Sequence, residues 1–246
     1  MKKYILMLVA AISSLSVFAQ TDTLHVYGPG GPLSAMQECA KAFTTTTGIP
    51  VKVTGGPESK WMPQAQQNAD VIYGGAEYML TQFIQNHPGM VDATTRVELY
   101  KRATAILVRP GNPKHIVTLK DLTKPGIHIL DVNGAGQLGL WEDIAGKENL
   151  IGGIQKNIAG SFANTALGIA AWKTDSSYDA WITYTSWHQN LKGITQVVEL
   201  PVTLRLYRGT PVALTLNSKH SQQGKQFLSF LQSVQGHSIF KKWGWE

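Results

Sequence analysis

A glycine-rich turn joins a strand to a helix near the start of this chain, in the stretch HVYGPGGPLSAMQECAKAF at residues 25–43. Gly28, Gly30 and Gly31 stand between the two elements together with two prolines, so almost no side chain covers the turn. The first N–H groups of a helix have no partner within the helix and carry a partial positive charge. Because glycine lets an anion approach these groups closely, the turn predicts that the backbone binds an anion.

Segments with the patterns of strands and helices alternate along the rest of the chain. Strands are predicted at residues 24–27, 51–54, 70–73, 97–108, 127–132, 180–184, 196–200 and 211–216. Helices are predicted at residues 33–46, 57–67, 77–86, 163–172, 222–230 and 234–243, with further helices up to residue 157 and a short one after residue 184. This alternation is typical of an α/β protein with a largely parallel sheet.

Turn-forming residues interrupt two long extended runs. VRPGNP at residues 108–113 ends the first run, and Gly209 and Pro211 are expected to break the second, YRGTPVALT at residues 207–215. Two crossings of this kind predict two lobes, with the chain passing from the first lobe to the second and back. We expect lobe I to comprise residues 20–107 and 210–246, lobe II residues 108–209, and the crossing strands to lie near residues 104–109 and 208–215.

The first 19 residues have the pattern of a cleavable secretory signal peptide. Lys2 and Lys3 precede an apolar stretch at residues 4–11, and Val17 and Ala19 occupy the two positions that a signal peptidase recognises. A membrane anchor is the alternative, but the stretch is too short to span a bilayer comfortably. We therefore expect cleavage after Ala19 and an exported mature protein that begins at residue 20.

Charge and cysteine content narrow the classes of function. The chain carries 22 basic and 16 acidic residues, and loss of two lysines with the signal lowers the net charge from +6 to +4. This net charge is compatible with an anionic ligand. The sequence lacks the dense basic stripe that is expected of a nucleic-acid-binding protein.

Cys39 is the single cysteine, so no internal disulfide can form. Its spacing from Met36 and Phe43 predicts a buried residue, and a reactive thiol is the alternative.

Similar junctions recur three times: after a predicted strand in VKVTGGPESKWM and IHILDVNGAGQLGLW, and before an apolar helix in IAGSFANTALGIAAW. In parallel α/β sheets, ligands bind beyond the carboxyl ends of the strands, where these junctions lie. Glycine, asparagine and serine are also ordinary turn and cap residues in any α/β protein, which is the alternative. We predict an anion-binding cleft lined by Gly30, Gly31, Gly56, Asn133, Gly134, Ala135, Ser161, Asn164 and Thr165.

Four further side chains are candidates for the cleft. Tyr184 ends a predicted strand, where its hydroxyl faces either the cleft or the edge of the core. Arg205 and Arg208 lie near the second crossing, where a guanidinium can pair with carboxylate or sulfate oxygens, although arginines on the surface are common. Ser59 lies in the first turn of the second helix, where hydroxyls are often only solvated.

Signals for catalysis are weak in this sequence. The patterns HExxH, CxxC, G-x-S-x-G and the P-loop do not occur, and the histidines are scattered. We therefore expect no enzymatic activity, no metal and no cofactor.

Five segments carry a resemblance to a known family: VYGPGGPLSAMQECAKAF, ADVIYGGAEYML, KPGIHILDVNGAGQLG, WITYTSW and GKQFLSFLQSVQGHSIFKKWGW. They resemble, over most of residues 22–244, the extracellular solute-binding proteins of ATP-driven molybdate and sulfate importers, and within these the accessory colonization factor branch. The last segment resembles the family's closing signature, which is the most specific of the five. Tyr184 matches a tyrosine with which members of the family contact their ligand.

The resemblance implies a two-lobed clamshell of the type II periplasmic-binding-protein fold, with two crossing strands at the hinge and the ligand in the cleft. It implies a periplasmic monomer without catalytic activity. The partners that it implies are a small anion and an ABC permease or a chemoreceptor, and no nucleic acid.

One departure from the family bears on the ligand. Molybdate-binding members usually carry serines in the first two turns, where Gly30, Gly31, Gly55 and Gly56 stand here. The leading interpretation is capture of a sulfate- or molybdate-like anion for uptake or chemoreception. The alternative is an organic carboxylate or an acidic amino acid, larger than sulfate, with Arg205 or Arg208 facing the cleft. A periplasmic enzyme or an adhesin fits less well, because catalytic motifs and repeats are absent from the sequence.

Overall fold

The computed structural model describes residues 22–246, so the predicted signal peptide at residues 1–19 lies outside the described residues. The strands are β1 (Leu24–Gly28), β2 (Val51–Gly55), β3 (Val71–Tyr73), β4 (Val97–Val108), β5 (Ile129–Val132), β6 (Ile158–Phe162), β7 (Ala180–Tyr184), β8 (Gln196–Glu199) and β9 (Tyr207–Leu214). The α-helices are α1 (Leu33–Thr47), α2 (Glu58–Asn68), α3 (Glu77–Asn86), α4 (Leu140–Gly146), α5 (Ile151–Gln155), α6 (Thr165–Thr174), α7 (Thr185–Asn190), α8 (Ser221–Leu231) and α9 (Val234–Lys242). Within residues 22–246, none of these helices has the length and apolar character needed to cross a membrane.

The strands form one connected sheet in the order β2-β1-β3-β9-β4-β7-β5-β6, and β8 also pairs with β4. Strand β1 is parallel to β2 and β3, and β5 is parallel to β6 and β7. In contrast, β9 is antiparallel to β3 and β4, and β4 is antiparallel to β7 and β8. The prediction of a largely parallel sheet is therefore wrong at its centre, because the two long crossing strands run against their neighbours.

Strand β4 belongs to both ends of the sheet. Its residues 97–103 pair with β9, whereas its residues 104–108 pair with β7 and β8. The chain crosses on β4 and returns on β9, which runs unbroken through Gly209 and Pro211. The expected break at these residues is wrong. Pro211 pairs with Glu98 beside an irregularity in the register, where a missing N–H is tolerated.

Strand β6 is absent from the sequence prediction. It lies at the end of the sheet, and its side chains are half-buried or exposed along its whole length. An edge strand of this kind lacks the apolar run or clean alternation by which strands are detected in sequence.

Buried apolar side chains form separate clusters toward the two ends of the sheet. One cluster lies between residues 106 and 204 and includes Trp172 and Trp181. Two other clusters consist of residues before 100 and after 211, and the larger of these two clusters contains Phe43 and Phe227. Cys39 belongs to that larger cluster and carries a buried free thiol, as the sequence predicts. The lobe boundaries after residues 107 and 209 stay a prediction.

Candidate functional site

A cavity of about 430 Å³ lies beyond the carboxyl ends of parallel strands from both ends of the sheet. The turns after β1, β2 and β3 form one side of it, together with parts of α2 and α3. The turn at residues 135–137, the start of α6 and the end of β7 form the other side. This is the position at which α/β proteins bind their ligands.

Several residues predicted from the sequence line this cavity. Asn164 caps α6, because its Oδ1 accepts from the N–H of Leu167 at 3.1 Å. Thr165 Oγ1 accepts from Nε2 of Gln137 at 2.9 Å. The predicted residues brought together at the cavity are Gly30, Gly31, Gly56, Ala135, Asn164, Thr165 and Tyr184.

Other predicted residues lie outside the lining. Ser59 is exposed on the first turn of α2, and Asn133 is exposed at the end of β5. Ser161 donates its hydroxyl to Oδ2 of Asp131 at 2.6 Å. A Cβ on Gly134 would lie 2.2 Å from the carbonyl oxygen of Ala163, so this glycine allows two backbone segments to pack closely.

The two predicted arginines also lie outside the lining. Nη2 of Arg205 lies 2.7 Å from a carboxylate oxygen of Glu199, and its Nε donates to the carbonyl of Leu200 at 2.7 Å. Arg208 is half-buried on β9, opposite Arg102 of β4. The positive charge in the cavity wall therefore comes from a residue that the sequence analysis did not select.

Arg102 provides that charge. It projects from β4 and is 2% exposed. Its Nη2 donates to the carbonyl of Gly75, whereas Nε and Nη1 are buried without a hydrogen-bond partner among residues 22–246. A Cβ on Gly31 would lie 3.6 Å from Nη1 and Nη2, so the guanidinium lies directly beneath the glycine-rich turn. Leaving buried charged donors unpaired is costly, and an anion in the cavity would remove that cost.

Aromatic rings hold the guanidinium in place. Its central carbon lies 4.4 Å from the ring centroid of Tyr184 and 5.3 Å from that of Trp245. Burial lowers the pKa of Arg102, and Tyr184 and Glu77 act in the opposite direction. An arginine nevertheless stays protonated near neutral pH, so the cavity carries a permanent positive charge.

Two tyrosines at the cavity have different hydrogen-bonding states. The hydroxyl of Tyr184 donates to the carbonyl of Gly136 at 2.6 Å, and burial raises the pKa of Tyr184 to about 12. Its proton is thus engaged in holding the turn at residues 135–137. The Tyr73 hydroxyl is buried without a partner among the described residues, and burial raises its pKa. Tyr73 therefore has a proton available for donation.

The helices that start near the cavity differ in the charge of their first turns. Helices α1 and α6 have no acidic residue there. Helices α2 and α3 begin with Glu58 and Glu77, and the carboxylate of Glu77 accepts from the N–H of Gly209 at 2.7 Å. An acidic side chain at a helix start occupies the favourable position for negative charge. An anion is therefore favoured near α1, α6 and Arg102.

Sequence reasoning overlooked Arg102, Tyr73 and Gln137. Arg102 directly precedes an uncharged, largely apolar run at residues 103–108 in a predicted crossing strand. A charged residue next to such a run is the sequence signal by which Arg102 could have been identified. Tyr73 ends a short apolar strand and gives no signal that separates it from a core tyrosine.

Comparison with known proteins gives a consistent result. The family described as bacterial extracellular solute-binding protein matches residues 24–246. No curated protein sequence matches the chain. The L-phospholactate-bound structure of PEB3 superposes with a TM-score of 0.84 at 28% identity, over 91% of this chain and 99% of that chain. Peb3 from Campylobacter jejuni superposes with a TM-score of 0.81 at 29% identity, with the same coverage.

A more distant similarity concerns the fold alone. The periplasmic molybdate-binding protein of Azotobacter vinelandii superposes with a TM-score of 0.71 at 16% identity, over 91% of this chain and 98% of that chain. The expectation of a two-lobed type II clamshell is confirmed, as is the resemblance to molybdate- and sulfate-type binding proteins. The chain belongs to the bacterial extracellular solute-binding proteins.

Proposed function

We propose that this protein captures a small anion in the periplasm and delivers it to an ABC permease or a chemoreceptor. The observation that carries the proposal is the buried Arg102 beneath a glycine-rich turn: two nitrogens of its guanidinium have no hydrogen-bond partner among residues 22–246. A guanidinium in this state suits an oxyanion, a carboxylate or a phosphate, because each offers two oxygens to adjacent N–H groups. The partial positive charge at the starts of α1 and α6 adds to the attraction.

The size of the cavity favours an organic anion over a bare tetrahedral oxyanion. A volume of about 430 Å³ falls in the range of about 300–1,000 Å³ that is usual for sites binding organic ligands. PEB3, to which this chain is 28% identical, has been crystallised with L-phospholactate, which carries a phosphate and a carboxylate. Both considerations support the organic acid, while sulfate and molybdate remain the second candidates.

The remaining parts of the proposal follow from the family and the sequence. The relatives are binding proteins, which supports a binding role without catalysis, metal or cofactor for this chain. The signal-like first 19 residues support export to the periplasm. A net charge of +4 after loss of the signal supports a small anionic ligand rather than nucleic acid. We propose a monomer, as in the interpretation of the sequence.

The test is a thermal-shift screen of the mature protein, followed by calorimetry of the ligands that stabilise it. The panel is sulfate, molybdate, phosphate, citrate, aspartate and L-phospholactate. A ligand that binds only the folded state raises the melting temperature by mass action. We expect at least one organic anion to bind, and Arg102→Gln to weaken its binding by at least about tenfold, or about 1.4 kcal/mol.

Arg205→Gln is the matched control, because it removes the same charge at a site paired with Glu199 outside the cavity. It should leave affinity unchanged. Arg102→Lys, which keeps the charge but not the planar fork, should give an intermediate loss. Unchanged affinity in a folded Arg102→Gln protein would contradict the proposal, as would a panel in which no anion binds.

A further inference from the structure

We propose that the ligand gathers its charge at one end and carries an uncharged, apolar arm at the other. This inference rests on the proposed function and adds the chemical class of the ligand. It follows from a difference between two parts of the cavity lining, which we call the charged end and the apolar end. Arg102 and the turn at Gly30 and Gly31 define the charged end, and Trp61, Leu80 and Phe83 define the apolar end.

The charged end holds unpaired donors. Nε and Nη1 of Arg102 lack partners among residues 22–246. A Cβ on Gly136 would lie 3.4 Å from Nη2 of Arg102, so a second turn approaches the guanidinium from the opposite side. An anionic group placed here is approached by backbone from both sides of the cavity, and a charged hydrogen bond is stronger than a neutral one.

The apolar end lies between α2 and α3. Trp61, Leu80 and Phe83 are each at most 5% exposed, and the Trp61 and Phe83 rings have centroids 5.8 Å apart. The only polar side-chain atom among the three, Nε1 of Trp61, already donates to the carbonyl of Gly56 at 3.1 Å. This wall therefore offers a ligand apolar contact, which is favourable in proportion to the area removed from water.

Glu58 makes the apolar end unfavourable for a second anion. It begins α2, lines the cavity and lies 2.8 Å from Nε2 of His87 through one carboxylate oxygen. Its negative charge occupies the helix start that would otherwise attract an anion. A ligand with a carboxylate at its far end would bring like charges together, so the arm has to be uncharged.

Matched ligands test the inference on the wild-type protein by calorimetry at pH 8. The first series is inorganic phosphate, methyl phosphate and n-butyl phosphate. A second series runs from acetate to hexanoate. We expect affinity to rise by about fourfold per buried methylene in whichever series binds, until the arm fills the apolar end. In 4-phosphooxybutanoate a carboxylate replaces the terminal methyl of n-butyl phosphate, and we expect it to bind at least about tenfold more weakly.

Glu58→Gln removes the negative charge and should narrow the gap between these two phosphate esters. Glu199→Gln is the control, because Glu199 is exposed and pairs with Arg205 outside the cavity. Two results would overturn the inference while leaving the proposed function in place: affinity for an anionic head that does not depend on arm length, or 4-phosphooxybutanoate binding as tightly as n-butyl phosphate. If no member of either series binds, the inference falls, and the proposed function falls with it only if the anion panel also fails.

Discussion

Gly31 lies directly above the guanidinium of Arg102, with 3.6 Å between its hypothetical Cβ and the nearest guanidinium nitrogens. Its φ lies outside the left-handed region, so the backbone tolerates a larger residue there. We predict that Gly31→Leu places a side chain between Arg102 and the ligand and weakens binding tenfold or more, about 1.4 kcal/mol. Calorimetry with the best anion of the panel measures this loss.

Gly152→Leu is the matched control for Gly31→Leu. Gly152 lies in α5, and a Cβ at that position meets no atom of the described residues within 4 Å. Its replacement should leave both folding and affinity unchanged. Full affinity in a folded Gly31→Leu protein would show that the ligand does not reach the backbone of this turn.

Cys39 provides a second prediction for a single residue. It is fully buried, and burial raises the pKa of its thiol to about 12. Because the thiolate is the reactive form, the native protein should not react with a thiol-specific reagent at pH 8. Labelling should become complete in denaturant. Rapid labelling of the native protein would favour the reactive-thiol alternative.

The candidate site was only partly predictable at this scale. A glycine in a turn, such as Gly30 or Gly56, indicates a backbone conformation or a close approach that other residues do not allow. The neighbouring residues in the sequence are enough to recognise such a turn. The orientation of Arg102 depends instead on the pairing of β4 with β9, more than a hundred residues away in the chain. Arg205 shows the same limit, because its ion pair with Glu199 forms only in the folded protein and the sequence does not reveal it.

Among the elements, α8 carries the clearest prediction for stability. Phe227 is fully buried on α8, and its ring centroid lies 5.3 Å from that of Phe43 on α1. We predict that Phe227→Ala lowers the free energy of unfolding by about 3 to 5 kcal/mol, because apolar contact is lost and a cavity remains. Urea denaturation followed by circular dichroism measures the change.

Val234→Ala, at the start of α9, is the control for this substitution. Val234 is 90% exposed and should change the free energy of unfolding by no more than about 0.5 kcal/mol. An equal effect of the two substitutions would mean that α8 does not pack on α1 as described.

The order of elements could be predicted well because most of them are amphipathic or wholly apolar and bounded by glycine or proline. Helix α3 and strands β4 and β7 occupy the predicted residues. The antiparallel pairing of β9 with β3 and β4 could not be predicted in this way. This pairing joins segments that are far apart in the sequence, since the chain returns to its first lobe. Local sequence patterns do not indicate the direction of a strand relative to its neighbours.

For the whole molecule, hydrogen bonds between the two predicted lobes are expected to control closure. The Tyr78 hydroxyl on α3 donates to the carbonyl of Ala135, and Ser34 Oγ on α1 donates to Oδ1 of Asn190 at 2.7 Å. Both bonds join residues of predicted lobe I to residues of predicted lobe II. They stabilise an arrangement in which turns from both sides approach Arg102. A ligand that requires this arrangement binds more weakly when the arrangement is less populated.

Tyr78→Phe removes one of these bonds without changing the cavity lining. We predict that it weakens every bound anion by a similar factor of about twofold to tenfold, the equivalent of one hydrogen bond of about 0.5–1.5 kcal/mol. Tyr100→Phe is the matched control, because its hydroxyl donates to the carbonyl of Leu231 at 2.8 Å within predicted lobe I. Calorimetry with two anions of different size distinguishes control of closure from a direct contact between Tyr78 and the ligand. A uniform loss in Tyr78→Phe alone supports control of closure, whereas a loss confined to one anion would mean that Tyr78 contacts that ligand directly.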